Sequence, residues 1–255
     1  MIRLKGLQDA FDFVNVDWLM TPKGWSFNKD EPFPGESWEY IRDLYFSINP
    51  DYANRFTVPV VWDKEQKTIV SNESSEIIRF LNTEFSAIST KPDAPDFYPA
   101  ELQSLIDEIN DPIYNNINNG VYKSGFAKTQ QAYDTAVKDL FSELDNVEER
   151  LSKNRYLAGK QLTEADVRLF VTLVRFDPVY NFHFKCSLRR IRDYPNINGY
   201  LRELYQMPEF KDTTDFKHIV NHYYQSHETI NPNRIVPHIE DPEINLLAPH
   251  GRDAL

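Results

Sequence analysis

Two short segments carry side chains whose types and spacing suit a small zwitterionic ligand. In TVPVVWD, Val58 precedes Pro59 inside a run of β-formers, and a cis bond there aims the Val58 N–H and C=O outward, as an edge strand does. In NESSEI, Glu73 and Ser74 fall where a helix begins, a place that favours a ligand carboxylate. Glu73 would accept from a ligand ammonium, and Ser74 would donate to the carboxylate. Glutathione, an amino-acid-like zwitterion with a peptide tail, satisfies both ends.

Each of these features also has an ordinary structural reading. A Val-Pro pair is frequent at an edge strand or a bulge, and an acidic residue followed by serine is common helix capping. Their occurrence together, in this order and before a helical half, favours a binding site.

Three histidines near the end of the helical half resemble a metal site in their spacing. His218 and His222 are four residues apart and share one helix face, and His227 follows. No glutamate accompanies them as in the HExxH pattern, and no cysteine pair lies nearby. We therefore expect no metal.

The elements that must position the two segments are predicted from apolar spacing. The chain opens with MIRLKGLQDA, which is typical of the last turns of a helix closed by Gly6. A strand, a loop, a helix, two strands and a helix follow, and a small sheet with helices is the simplest solution. The ranges are Ala10–Asp17 (strand), Thr21–Gly35 (loop), Ser37–Ile48 (helix), Thr57–Trp62 and Thr68–Ser71 (strands), and a helical face with Ile77, Ile78, Leu81 and Phe85.

The rest of the chain is predicted to be helical. Three prolines between Ser86 and Pro99 indicate a linker. Apolar stripes at helical spacing follow, and Thr163 with Asp166 has the spacing of a capping box. From Ser226 the periodicity is lost, which predicts a tail or an arm packed on the body.

Composition and charge exclude several classes of protein. The formal net charge of −11 argues against a general affinity for nucleic acid or an anionic membrane. No apolar run approaches the roughly 18 residues of a membrane span, and no secretory signal is recognisable at the N-terminus. A single cysteine excludes an intrachain disulfide framework. We therefore expect a cytoplasmic protein.

Eight long motifs in one order resemble a known family, the glutathionyl-hydroquinone reductases, which form the Xi class of glutathione transferases and are close to the Omega class. The resemblance covers almost the whole chain. The motifs are GWSF (Gly24–Phe27), TVPVVWD (Thr57–Asp63), IVSNESSEIIR (Ile69–Arg79), NNGVYKSGFA (Asn118–Ala127), YLAGKQLTEADVRLF (Tyr156–Phe170), RFDPVYNFHFKC (Arg175–Cys186), YPNINGYLRELYQMP (Tyr194–Pro208) and HIVNHYYQSHETINP (His218–Pro232).

The resemblance implies an α+β fold with two domains of different function. An incomplete thioredoxin-like α/β domain at 1–86 would precede a linker at 87–99, an all-α glutathione-transferase C-terminal domain at 100–225 and a C-terminal arm at 226–255. Such proteins form homodimers, bind glutathione as co-substrate on the first domain and take a quinone-type aromatic substrate between the two domains.

The resemblance also assigns the glutathione-binding residues. Trp25 would pack against glutathione, Val58 before a cis Pro59 would pair with its backbone, and Glu73 and Ser74 would hold its γ-glutamyl end.

Two tyrosines are assigned to the aromatic substrate, Tyr122 in NNGVYKSGFA and Tyr223 in NHYYQSH. Each ring can stack on a quinol, and each hydroxyl can donate or accept. Without the resemblance both would be core or interface residues, because the chain has 14 tyrosines.

The family's reaction is a thiol exchange, and its cysteine is the part that the sequence does not show. A cysteine in a Cys-Pro-Trp-Ala motif at a helix N-terminus attacks the substrate-bound sulfur, and a second glutathione then releases the enzyme. No such motif occurs in the 255 residues. We expect it, with the first strand of the sheet, upstream of Met1. Cys186 is expected to be a small buried side chain, although Arg189, Arg190 and Arg192 follow it.

The expected function is glutathione-dependent reduction of glutathionyl-hydroquinones, or broader glutathione transferase activity, with the catalytic cysteine absent from these residues. The alternative is a non-catalytic, dimer-forming protein that binds glutathione or a quinone, or a truncated gene model.

Overall fold

Two antiparallel hairpins and two helices build the first part of the chain. The computed structural model describes all 255 residues and divides into two compact units, Met1–Pro95 and Asp96–Leu255. Strand β1 pairs with β2, and β3 pairs with β4. The elements of the first unit are β1 (Val16–Thr21), β2 (Gly24–Phe27), α1 (Ile41–Ile48), β3 (Val61–Asp63), β4 (Thr68–Ser71), α2 (Ser74–Thr83) and a 3₁₀ turn (Ser86–Ile88).

The predictions for the first hairpin are wrong in two places. The strand predicted at Ala10–Asp17 begins only at Val16. Phe11 lies in the irregular segment before it and is partly buried, because its ring packs edge-on against Phe85 with ring centroids 5.0 Å apart. The loop predicted at Thr21–Gly35 contains β2. Pro22 and Gly24 belong to the tight turn of a hairpin, in which Gly24 has a φ of +94°. Such turn residues have the same composition as a long loop, so composition alone does not separate the two.

Two further elements are shorter than predicted, and one matches. The strand predicted at Thr57–Trp62 is confined to Val61–Asp63, and helix α1 starts at Ile41 rather than after Ser37. Asp43 fixes that start because its carboxylate accepts from the amide of Tyr40 at 2.8 Å. The strand Thr68–Ser71 is confirmed.

The chain opens in the geometry of a helix C-terminus, as the sequence predicts. Lys5 donates its amide to the carbonyl of Met1 at 3.0 Å, and Leu7 donates to Ile2 at 2.9 Å. Gly6 lies between them with a φ of +62°. This is the Schellman arrangement, in which a glycine takes the left-handed position.

Two apolar clusters hold the first unit together. One surrounds Leu44 and Tyr45 of α1, and the other joins Leu7 to Ile77 and Leu81 of α2. The helices that flank the candidate binding segments are therefore each fixed by their own core.

The second unit contains helices and no strand. No helix in the structure has the length and apolar character needed to cross a bilayer. The predicted capping box is confirmed, since the Asp166 carboxylate accepts from both the amide and the hydroxyl of Thr163. The helices are α3 (Gln103–Pro112), α4 (Gly120–Gly125), α5 (Gln130–Leu151), α6 (Glu164–Arg175), α7 (Pro195–Tyr205), α8 (Pro208–Lys211), α9 (Phe216–Ser226) and α10 (Pro242–Leu246), with π-helical turns at Ile113–Asn118 and Phe176–Tyr180 and a 3₁₀ turn at Ile191–Asp193.

The residues after α9 pack on the helical unit. Arg252 is buried there, donates to the carbonyls of Asn154 and Arg155 at 2.8 Å each, and pairs with Glu203 at 3.4 Å. The guanidinium therefore satisfies carbonyls just beyond the end of α5, as a cation does at a helix C-terminus.

Candidate functional site

The backbone of Val58 is open to a ligand. The Val58–Pro59 bond is cis, and 37% of Val58 is exposed. No hydrogen bond within the protein uses the Val58 N–H or C=O. Both groups can therefore pair with an extended peptide ligand, as an unpaired strand edge does.

Three side chains tie the segment before Val58 to the segment before Glu73. The Tyr45 hydroxyl donates to the Thr57 carbonyl at 2.9 Å. The Asn72 side-chain amide donates to the Tyr45 hydroxyl at 3.1 Å and to the Thr57 hydroxyl at 3.2 Å. Because Tyr45 is buried in the core of α1, this network fixes both segments to one rigid element. Sequence reasoning singled out none of the three.

Glu73 combines the capping role with the proposed binding role. It is the N-cap of α2, and one carboxylate oxygen accepts from the amide and hydroxyl of Ser75 at 3.2 and 3.1 Å. The second oxygen makes no such bond, and the side chain is exposed. Ser74 is the first residue of α2 and is exposed, so its N–H belongs to the set that has no partner within the helix.

Trp25 lies on β2 opposite Met20. Its ring is partly buried against the cluster of Phe27, Leu44 and Tyr45. It is held in the same unit as Val58 and Glu73, and its contact with a ligand stays a prediction.

In the helical unit the two tyrosines singled out from the sequence meet. Tyr122 on α4 and Tyr223 on α9 are 101 positions apart, and their hydroxyl oxygens are 2.5 Å from each other. Tyr122 is 40% exposed and Tyr223 is buried. A third hydroxyl, that of Tyr180, lies 2.8 Å from the Tyr223 oxygen. Tyr180 is in the quoted motif RFDPVYNFHFKC, but nothing in the sequence distinguishes it from the other tyrosines.

Aromatic rings pack around the three tyrosines that carry these hydroxyls. Phe184 stacks on Tyr180 with centroids 5.5 Å apart and planes inclined by 15°, and it also lies 5.4 Å from the Tyr122 ring. His227 contacts the Tyr223 ring edge-on at 5.5 Å. The surroundings of the hydroxyls are therefore largely apolar and suit an aromatic ligand.

The histidines form a different arrangement from the one their spacing indicates. His227 bonds His183 through ring nitrogens 3.1 Å apart, and His222 contacts Ser226. Burial lowers the pKa of both His183 and His227 to about 4, with Lys185 and His222 adding to the effect on His183. Both imidazoles are therefore neutral near pH 7. No group of three or more His, Cys, Asp or Glu side chains is arranged to hold a metal ion.

Cys186 is buried and unreactive by position, as expected. Its thiol has no exposed surface, and burial raises its pKa to about 12. The arginines that follow it pair elsewhere, Arg189 with Asp145 and Arg192 with Glu240. The thiolate needed for sulfur exchange does not form there at neutral pH.

Comparison with known proteins places this geometry in a family. Family models described as glutathione S-transferase N-terminal domain and C-terminal domain match residues 1–84 and 130–203. The chain is 51% identical to the glutathionyl-hydroquinone reductase YqjG of Escherichia coli, over 99% of this chain and 77% of that protein.

Solved structures agree with the sequence match. The glutathione-bound structure of YqjG has a TM-score of 0.92 at 50% identity and covers 99% of this chain and 82% of that one. Glutathione transferase Xi from Phanerochaete chrysosporium has a TM-score of 0.91 at 52% identity, covering 95% and 84%.

The predicted α+β class, a thioredoxin-like unit followed by a helical transferase unit, is confirmed by the two family matches and the structural match. Identity above 50% with a named reductase, over nearly the whole chain, goes beyond a shared fold. The chain therefore belongs to the glutathione S-transferase family, within its Xi class, the glutathionyl-hydroquinone reductases.

Proposed function

We propose that this chain binds glutathione and a glutathionyl-hydroquinone and belongs to an enzyme that reduces the latter. In the net reaction one glutathione and one glutathionyl-hydroquinone give the hydroquinone and glutathione disulfide. The substrate C–S bond breaks, the ring carbon gains a proton, and the two sulfurs join. The observation that carries the proposal is the 51% identity, over 99% of the chain, with a protein named for this reaction.

Glutathione is assigned to the first unit. The open N–H and C=O of Val58 pair with its peptide backbone, beside Pro59, and the free oxygen of Glu73 takes its α-ammonium. The exposed start of α2 at Ser74 takes its α-carboxylate. Trp25 packs beside the bound tripeptide.

The aromatic part of the substrate is assigned to the helical unit. Tyr122 is the exposed member of the tyrosine group, and Tyr223 lies directly behind its hydroxyl. A hydroquinone has a flat apolar ring with two oxygens, so a stacking ring next to a hydroxyl donor matches both of its properties.

The attacking thiolate is not part of this assignment. Cys186 is the single cysteine of the 255 residues, and its thiol is buried with a raised pKa. We propose that these residues supply binding and orientation, and that Cys186 is not the source of the attacking thiolate. The buried Cys186 equally favours the alternative, a non-catalytic binding protein. In-frame Cys-Pro-Trp-Ala codons before the Met1 codon support the enzyme, and their absence supports the binding protein.

The homodimer, the cytoplasmic location and the domain limits 1–86, 87–99, 100–225 and 226–255 belong to the same proposal. Light scattering of the purified chain tests the dimer, and a monomeric mass at micromolar concentration contradicts it.

An assay of the purified 255-residue chain tests the division between binding and chemistry. We expect it to bind glutathione in a calorimetric titration but to release no hydroquinone from a glutathionyl-hydroquinone. Turnover that survives the Cys186→Ala substitution contradicts the assignment of the thiolate. The absence of glutathione binding contradicts the proposed function as a whole.

A further inference from the structure

Two neighbouring stretches of helix border the exposed ring of Tyr122. Asn110 donates to the Glu164 carboxylate at 3.1 Å, and further along the chain Asn118 donates to the Arg168 carbonyl at 2.9 Å. Because the residue numbers rise together on both sides, the helices from α3 to α4 run alongside α6 in the same direction. The part of α6 that follows Arg168 therefore lies next to the turn that carries Tyr122.

That part of α6 ends in a cation, Arg175. A π-helical turn follows at once, and in it the Asn181 amide donates to the Phe176 carbonyl, five residues earlier, at 2.8 Å. Residues five apart lie above one another in such a turn, so Arg175 and Tyr180 share a face. The ring of Tyr180 lies 6.0 Å from that of Tyr122, which places Arg175 on the side of the aromatic site.

The charge of Arg175 reaches the tyrosine hydroxyls. Burial is the main cause that raises the pKa of Tyr180 and of Tyr223, and the positive charge of Arg175 acts against it in both cases. The guanidinium is therefore close to the hydroxyls beside which an aromatic ligand is proposed to bind.

The Arg175 guanidinium has no acidic partner. One of its nitrogens donates to the Val171 carbonyl at 2.6 Å, as a basic side chain in the last turn of a helix commonly does. No carboxylate forms an ion pair with it, whereas Arg189, for example, pairs with Asp145 at 2.6 Å. Arginine has five N–H donors, so most of them remain for a ligand. Val171, one turn earlier, is 46% exposed, and this face of α6 is therefore open.

We infer that Arg175 makes the aromatic site select hydroquinones that carry a carboxylate on the ring. A guanidinium holds a carboxylate through two parallel N–H···O bonds, while the ring stacks on Tyr122. The chain has a formal net charge of −11, so an anionic ligand needs a local cation to bind. This inference rests on the proposed aromatic site and adds the charge of its substrates.

The test compares 2,5-dihydroxybenzoate with hydroquinone in calorimetric titrations of the 255-residue chain. The two probes share the ring and both hydroxyls and differ only in the carboxylate. We expect the wild type to bind the acid about tenfold more tightly, the effect of one charged hydrogen-bonded pair. Arg175→Gln should lose this preference and bind hydroquinone unchanged. Arg175→Lys keeps the charge but not the paired donors, and it should retain part of the preference.

Arg189→Gln is the matched control, because it removes a cation of the same unit that pairs with Asp145. This variant should leave the affinity for both probes unchanged. An equal loss of the preference in Arg189→Gln would mean that net charge alone sets it and would overturn the inference. An equal loss of both probes in Arg175→Gln would mean that Arg175 only stabilises the end of α6, with the same consequence.

A third probe, 2-(glutathion-S-yl)hydroquinone, separates the ring carboxylate from those of the glutathionyl group. If Arg175→Gln weakens the binding of this probe but not that of 2,5-dihydroxybenzoate, Arg175 takes a glutathionyl carboxylate and the inference is wrong.

The inference and the proposed function fail in different ways. If the wild type binds hydroquinone and 2,5-dihydroxybenzoate equally tightly, the inferred selection is wrong while the aromatic site stands. If the wild type binds none of the probes, the aromatic site fails and the inference fails with it.

Discussion

At the scale of single residues, Gly6 shows how two independent constraints select one amino acid. Its φ of +62° is a conformation that side chains rarely adopt. A Cβ at this position would also lie 2.7 Å from the Lys91 amide nitrogen and 2.8 Å from the Thr90 hydroxyl. The same segment closes the opening turns, because the Thr90 amide donates to the Gly6 carbonyl at 2.9 Å.

Gly6→Ala is therefore expected to destabilise the first unit by about 2–3 kcal/mol, the sum of backbone strain and a backbone clash. Gly24→Ala is the matched control, since Gly24 has a φ of +94° but no atom within 4 Å of the place that a Cβ would take. We expect it to cost about 1 kcal/mol, the strain alone. Urea unfolding of both variants measures the two losses in the free energy of unfolding. Equal losses would show that Lys91 and Thr90 move away without any loss of stability.

Glu73 is a second residue with two tasks. One oxygen caps α2 and the other is free. Glu73 can therefore cap the helix and bind a ligand at the same time. A substitution by glutamine keeps an oxygen for the cap and removes only the charge. This separation makes Glu73 the best position at which to test ligand binding.

At the scale of elements, α1 holds together the two segments of the proposed glutathione site. Its Tyr45 bonds the Thr57 carbonyl, and Asn72 bonds both Tyr45 and Thr57. The segments that carry Val58 and Glu73 thus have a fixed separation. Pre-organisation of this kind lowers the entropy that binding must overcome.

Asn72→Ala removes two hydrogen bonds within the protein, worth roughly 1 kcal/mol each. We expect about half of that energy to appear as a loss of glutathione affinity, which makes binding about threefold to tenfold weaker. Thr57→Val removes one of the two and should have a smaller effect. Calorimetric titration measures both. Asn49→Ala serves as control, because Asn49 lies at the end of α1 and caps only the local turn to Asp51. If Asn72→Ala bound glutathione as tightly as the wild type, this would contradict a role of the network in positioning the site.

Local signals in the sequence predict some elements well and others not at all. The strand Thr68–Ser71 and the capping box at Thr163 depend on neighbouring residues, so the sequence contains their cause. Strand β2 exists because β1 pairs with it. In the segment predicted as the strand Ala10–Asp17, Phe11 is partly buried because it packs against α2 and the residues that follow that helix. The Tyr45–Thr57–Asn72 network and the contact of the Tyr180 hydroxyl with Tyr223 join distant positions, which spacing within one segment does not reveal.

At the scale of the whole molecule, a pair of histidines, the buried His183 and the partly buried His227, links folding to pH. His183 and His227 have a pKa near 4 when folded, against 6.5 for a histidine in the unfolded chain. Between these values the unfolded chain binds protons that the folded chain does not. The contribution of these two histidines to the free energy of unfolding is therefore complete above about pH 6.5 and is lost as the pH falls towards 4.

We expect the free energy of unfolding of the wild type to fall more steeply between pH 7 and pH 4 than that of His183→Gln, by about 3 kcal/mol. Carboxylates such as Asp177, whose pKa is raised by burial, act in the opposite direction, so the difference between the two proteins is the informative quantity. His238→Gln, at a position on the surface of the arm after α9, should retain the wild-type slope. Parallel curves for wild type and His183→Gln would contradict the burial of a neutral pair.

The central claim is that glutathione binds where the Val58 segment meets the start of α2. The most direct measurement is a calorimetric titration of glutathione into the wild type and Glu73→Gln, with Glu84→Gln, at the other end of α2, as the matched control. We predict binding to the wild type, an affinity about tenfold lower for Glu73→Gln through loss of one charged hydrogen bond, and wild-type affinity for Glu84→Gln. Equal affinities for all three proteins would contradict the claim.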